Sequence, residues 1–274
     1  MTSKTSKNSV ASSTAPEEWT TEAFLRRIVP DNGHIWIGYM PKDGQFRQKP
    51  FDPGDYKSAA DFAQRKSGVA NIYFAPASYK TGKSRTGDNV QSFQTLFADI
   101  DVGDGKPYCD QARAKEAVAA FIQGHPDLVP SLEINSGGGL HLYWLLGEPL
   151  ARQAWQSLAN ALKELCAQSG LQIDAGVTGD AARMLRPLGT QNHKSSPPAH
   201  VTCLVARDLR YAASDLGKAL RPALSSSSSE SEGTDKLAPS SAFQPLIAEG
   251  ATASDELSGG LKYSSPRADL VVHR

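Results

Sequence analysis

Between residues 95 and 206, strand-period and helix-period segments succeed one another as βαββαβ. That order predicts an α+β fold with an RRM-like (ferredoxin-like βαββαβ) unit. Two local patterns support the reading. Leu96-Phe97-Ala98-Asp99-Ile100-Asp101-Val102 alternates as a half-buried strand does. Ser136-Gly137-Gly138-Gly139-Leu140-His141 has the glycine-centred form of a hairpin between two apolar runs.

A small α/β unit over residues 19–94 is expected ahead of this core. It contains a short helix at Thr21 to Ile28 stopped by Pro30, a strand at His34 to Met40, a helix near Ser58 to Lys66 and a strand near Asn71 to Ala75. The core itself, residues 95–206, starts with a strand at Thr95 to Val102. A helix from about Asp110 to Gln123 follows, with Ala114, Ala117, Val118, Phe121 and Ile122 as its apolar stripe. Pro126 and Pro130 close that region. Strands at Ser131 to Asn135 and Leu140 to Leu146 form the hairpin, where the glycines supply positive φ. A helix from Arg152 to Gln168 then carries Trp155, Leu158, Leu162 and Leu165 at helical spacing, and a last strand is expected at Arg183 to Leu188. In this plan the first and third strands are central neighbours, so Asp99 and Asp101 share a sheet face with His141. Residues 1–18 and 224–274, the latter with the run Ser225 to Ser229, have the composition of disordered tails or linkers.

The chain of 274 residues is 39% hydrophobic, enough for one good-sized core or two small ones. No run approaches the length of a membrane span, and the polar N-terminus lacks a secretory apolar core, so no membrane partner and a cytoplasmic setting are expected. Cys109, Cys166 and Cys203 are widely spaced and odd in number, which predicts free thiols. With 29 basic and 29 acidic side chains the whole chain is no basic nucleic-acid coat, although local patches remain open.

The chemistry is carried by three clusters. Asp99 and Asp101 lie one residue apart and so point from one face of a strand, in an apolar run where paired carboxylates call for a cation. A calcium-loop reading fails: Asp104 stands at the sixth position, where glycine is required, and Asp110 at the twelfth, where glutamate is expected. In the second cluster, backbone N–H groups around Gly138 and the side chains of Ser136 and His141 suit phosphate oxygens. The third runs from Asp174 through Asp180 and Arg183 to Arg186, Asn192 and Lys194. As a regular strand it would turn Arg183 and Arg186 to opposite faces, leaving one for the site. Asn192 and Lys194 on the following loop suit phosphate or template contact, and Lys80, Lys83 and Arg85 could track a nucleic-acid backbone.

Taken in order, Phe97-Ala-Asp99-Ile-Asp101, Ser136-Gly-Gly-Gly-Leu-His141-Leu-Tyr-Trp144 and Asp180-Ala-Ala-Arg183-Met-Leu-Arg186-Pro-Leu-Gly189-Thr190 resemble the three motifs of archaeo-eukaryotic primases. They are most similar to the primase-polymerase (PrimPol-like) domains of phage and plasmid replication proteins. The resemblance spans about residues 71–205. It implies an RRM-like catalytic palm and a DNA primase/polymerase, a nucleotidyltransferase using two Mg²⁺ or Mn²⁺ ions. Catalytic roles are implied for Asp99, Asp101 and His141, and metal ligation for Asp99, Asp101 and one of Asp174 and Asp180. Ser136, Gly138, His141, Arg183, Arg186 and Lys194 would meet the dNTP or NTP. The implied partners are a single-stranded DNA template and a replicative helicase encoded separately or lost. Arg186-Pro187-Leu188-Gly189-Thr190 departs from the Arg-x-Pro-Gly-Thr common in such proteins, which puts the local turn in question. Three other classes compete: a non-catalytic RRM-like binding module, a replication-initiator nuclease, and an inactive truncated remnant. An RRM module stacks bases on sheet aromatics where this strand offers acids, and the nuclease needs two histidines flanking one apolar residue where this hairpin reads His141-Leu142-Tyr143.

Overall fold

A computed structural model of the chain describes residues 19–41 and 44–221; the expected tails lie outside the described residues. Helix α1 (Thr21–Ile28) begins where the Thr20 side chain accepts the Ala23 N–H and ends in Arg26 and Arg27, the favourable end for positive charge. Strand β1 (Ile35–Pro41) lies between β2 (Arg47–Phe51) and β3 (Ala70–Phe74), antiparallel to both. Helix α2 (Tyr56–Ser67), capped by Asp55, covers this sheet with Tyr56, Ala59 and Ala63.

The second sheet has five strands. It is built from β4 (Ala77–Tyr79), β5 (Val90–Asp101), β6 (Leu132–Asn135), β7 (Gly139–Ala151) and, separated from these by the two-stranded ladder of β8 (Gln191–Asn192) with β9 (Ala199–His200), β10 (Thr202–Ala206). Its order is β10-β6-β7-β5-β4. Helix α3 (Gln111–Gly124) is capped by Asp110, and α4 (Arg152–Gln168) packs on β5. The short helices α5 (Ala175–Thr178) and α6 (Ala213–Ala219) complete the described chain.

The α+β class and the central pairing of the first and third core strands follow the sequence reading. Two expectations are corrected. Arg183 to Leu188 is not a strand of this sheet: its one ladder contact is a bridge from Leu185 to Phe74 of β3, with N–H to O distances of 2.8 and 2.9 Å. Pro187 has no N–H for a ladder, and Gly189 at φ +81° turns the chain away. The closing strand is β10, which lies beside the second core strand, β6. A ferredoxin-like order would put it beside the first, β5, but that edge is taken by β4, which pairs Ala77 with Phe93 and Ser78 with Ser92.

Aromatic packing joins the layers. Phe24 of α1 meets Phe74 of the three-stranded sheet edge-on at 5.2 Å and Tyr143 of the five-stranded sheet at 5.8 Å, so one ring spans both. Trp155 stacks on Phe93 at 3.9 Å and donates its indole N–H to Thr95 O. All three cysteines are free. No described helix is long and apolar enough to cross a membrane.

Two shielded phenols, buried Tyr56 and half-buried Tyr211, set an alkaline limit. Tyr56 and Tyr211 donate to the carbonyls of Val29 and Val129, and burial, the largest influence on each, pushes both up to about 12. A raised folded-state pKa stabilises fully below the unfolded value of about 10 and is lost as pH rises through the folded one. The urea midpoint is therefore expected to be flat up to about pH 9 and to fall between about pH 10 and 12. An absorbance titration at 295 nm should show these phenols ionising with unfolding; ionisation with the fold intact would contradict the assignment.

Candidate active site

Strand parity and register build the site. Asp99 and Asp101 leave the same face of β5 while Ala98 and Ile100 are buried on the other. His141 on β7 is the direct cross-strand partner of Asp99, and its Nε2 lies 3.5 Å from Asp99 Oδ1. Gly139 is the partner of Asp101. A Cβ there would stand 2.0 Å from the carbonyl oxygen of Ile100, so only glycine lets β5 and β7 close at this point. Gly137 takes φ +77° and sits against Asn192 and Ala199; of the three hairpin glycines it alone has positive φ.

A cavity of about 520 Å³ opens over this face. It is lined by Asp99, Asp101 and Asp174, by Ser136, Gly137, Gly138 and His141 of the hairpin, by Arg183, Arg186, Asn192 and Lys194, and by Tyr73 and Lys106. The strand expectation had left one arginine for the site. Without a strand there, the irregular segment turns both toward the cavity. Arg186 lies with its guanidinium carbon 5.2 Å over the Tyr73 ring, and its buried Nε has no protein partner.

The two candidate third carboxylates occupy different places. Asp174 donates its backbone N–H to Asp99 O at 2.8 Å and caps α5 through the Val177 N–H, which ties it to β5. Asp180 is exposed, accepts the Ala182 N–H, and lines a neighbouring cavity instead. Among the basic residues of the loop before β5, Lys80 reaches Asp88 O and Lys83 is exposed, both away from the main cavity. Arg85 is drawn to Gln48 and to Ala182 O. The Asn192 amide is buried beneath the hairpin, donating to Ser136 O and accepting the Lys194 N–H.

Electrostatics follow from burial and crowding. Burial first, then the charges of Asp101 and Asp174, push the Asp99 carboxyl up to about 7, against the pull of Arg183 and Arg186. Burial first, then Arg186, pushes His141 down to about 3, so it is neutral at physiological pH. Its contact with Asp99 is therefore polar rather than an ion pair. Lys106, reached through glycines at φ +132° and +69°, puts its ammonium 2.8 Å from Asp101 Oδ2. Sequence reading missed Lys106 and Tyr73. Lys106 has a faint signal in Gly103-Asp104-Gly105-Lys106, five residues beyond Asp101; Tyr73 has only its alternation with buried Ile72 and Phe74.

A divalent ion, implied by the motif resemblance, suits this donor set. Among the described residues no three His, Cys, Asp or Glu side chains are gathered tightly enough to enclose a metal as they stand, and Asp101 is engaged by Lys106. The donors are nevertheless all carboxylate oxygens, as hard cations prefer. Burial first, and the like charges of Asp101 and Asp174 after it, disfavour the Asp99 carboxylate, and a lysine is already drawn onto Asp101; a cation would favour both carboxylates.

The fold, with three carboxylates, four basic side chains and a facing histidine on one cavity, is similar to that of solved primase-polymerase domains. A solved relative of that fold is the AEP domain of the cyanophage S-2L primase-polymerase (PrimPol), with a TM-score of 0.54 and 18% identity over 73% of this chain and 94% of that one. The catalytic domain of primase RepB′ in complex with initiator DNA is similar at TM-score 0.47, with 12% identity over 73% of this chain and 93% of its own. The polymerase domain of Mycobacterium tuberculosis Ligase D in complex with DNA gives 0.45, with 15% identity over 72% and 79%. No protein-family model and no curated protein sequence matches the chain.

Proposed function

We propose that the chain is a metal-dependent primase-polymerase that joins (d)NTPs on a single-stranded DNA template during phage or plasmid replication. The observation that carries this reading is the convergence of three carboxylates, a neutral histidine and two arginines on one cavity. In it the five-stranded sheet serves as the catalytic palm. Bound Mg²⁺ or Mn²⁺ would polarise the triphosphate and ease deprotonation of the attacking 3′-hydroxyl.

The chain's own residues do the rest. Asp99, Asp101 and Asp174 would hold the ions. Arg183, Arg186 and Lys194 neutralise charge that builds on the phosphates. His141 is neutral, so it can donate a hydrogen bond to a phosphate oxygen without bringing a second cation against the metals. Ser136 and the backbone at Gly138 orient the same group. A non-catalytic binding module has no need of three carboxylates in one cavity, and the acids on the sheet face weigh against it.

The test is labelled-nucleotide incorporation by the full chain, with Mn²⁺ or Mg²⁺, dNTPs or NTPs, and primed or unprimed single-stranded templates. Products dictated by the template support the reading; no incorporation under any combination sinks it. Arg186→Lys keeps the charge but loses the guanidinium that lies over the Tyr73 ring. It is expected to raise the nucleotide KM about tenfold, in line with the loss of one charged hydrogen bond, with a smaller change in kcat.

A further inference from the structure

Beside the main cavity lies a second one of about 290 Å³, with Tyr73, Arg183 and Met184 shared between the two. Its floor is aromatic. Phe46 is one of two large hydrophobic side chains that stand exposed among the described residues, at 45%. The ring is held in place: it lies directly over Gly38 of β1, where a Cβ would come within 2.5 Å of it, and meets the Tyr73 ring at 5.9 Å. A phenyl ring fixed by its neighbours yet open on one face stores little entropy and much uncovered apolar area, the condition under which a flat partner binds well.

The surroundings choose the partner. Arg85 and Arg183 stand at this cavity against the single carboxylate of Asp180, a positive balance at its rim. Arg85 is fixed there by Gln48 and by the Ala182 carbonyl. An aromatic platform with guanidinium groups at its edge is what an unpaired nucleobase and its phosphates require, and every base has the π-face such a platform uses. A duplex keeps its bases stacked within the helix and cannot offer one to Phe46.

We infer that Phe46, braced edge-to-face by Tyr73 at 64° between ring planes, is a stacking platform for one unpaired base of a single-stranded nucleic acid, with Arg85 at its phosphate. Because the platform adjoins the proposed nucleotide cavity but lies on the three-stranded sheet, away from the hairpin that would grip the triphosphate, the base belongs to the template strand. That last step rests on the polymerising function proposed above.

The test is fluorescence anisotropy of a labelled oligo-dT strand with the full chain, without divalent metal, across a salt series. Phe46→Ala is expected to weaken single-strand binding by about 5- to 150-fold, the value of one base stack, and to leave the salt slope unchanged. Phe46→Trp should bind as tightly as the parent, and Arg85→Gln should shallow the salt slope by about one charge. Duplex binding should be the same in parent and Phe46→Ala. Unaltered single-strand affinity in Phe46→Ala, an equal loss for duplex, or no single-strand binding by the parent would overturn the inference. Incorporation assays separate the two claims. A parent that binds through Phe46 but never incorporates nucleotides keeps the platform and loses the polymerase. A parent that incorporates while Phe46→Ala retains full template affinity keeps the polymerase and loses the platform.

Discussion

Asp99→Asn is expected to lower nucleotide incorporation by about a thousandfold or more, roughly 4 kcal/mol of transition-state stabilisation, while raising the thermal midpoint of the metal-free protein. The two effects share one cause. Asp99 is largely buried and faces the like charges of Asp101 and Asp174; burial first, then that crowding, lifts its carboxyl to about 7. Asparagine keeps the shape, removes the repulsion, and can still meet His141 across β5 and β7. It no longer offers an anionic oxygen to a metal. Steady-state incorporation beside a calorimetric melt decides the matter. Full activity in the variant, or a drop in its melting temperature, would contradict a metal-ligating role for Asp99.

Gly139→Ala should be the most damaging small substitution on the hairpin, with a loss of about 3 kcal/mol or more in denaturant unfolding and activity falling alongside. Its Cβ would stand 2.0 Å from one backbone atom of Ile100 and 3.1 Å from another, and neither is the yielding end of a side chain. Relief requires β5 and β7 to part at the register that brings Asp99 to His141. Gly105→Ala is the control. That residue also has a positive φ, +69°, but nothing within 4 Å, so only backbone strain of about 1–2 kcal/mol is expected. Similar losses for the two variants would show that the close approach at Gly139 matters little.

What could be read from the residues was what obeys local rules. Side-chain alternation along Leu96 to Val102 was enough to turn Asp99 and Asp101 to one face, and the helix expected from about Asp110 does begin at that residue, which caps it. The central pairing of β5 with β7 followed from the order of elements. The third cluster was harder, because Arg183 to Leu188 mixes basic and apolar residues without a clear period, and its sole ladder partner comes from a different sheet more than a hundred positions earlier. The true edge strand, Thr202-Cys-Leu-Val-Ala206, is short and only half-buried, so its apolar signal is weak. Nothing local separates Asp174 from Asp180; the difference is the backbone bond from Asp174 to Asp99, a tertiary contact. Lys106 and Tyr73 reach the cavity through loop geometry and through the packing of one sheet against the other.

The two-bond bridge between Phe74 and Leu185 bears on how this molecule can be dissected. It makes the segment before β5 the scaffold on which Arg183 and Arg186 are hung, so a shortened clone beginning near residue 90 would retain the acidic strand and the hairpin but leave both arginines unmoored. Mixing separately expressed halves, split between Tyr79 and Val90, then becomes an informative complementation experiment: whatever recovers on mixing reports the re-docking of that strap.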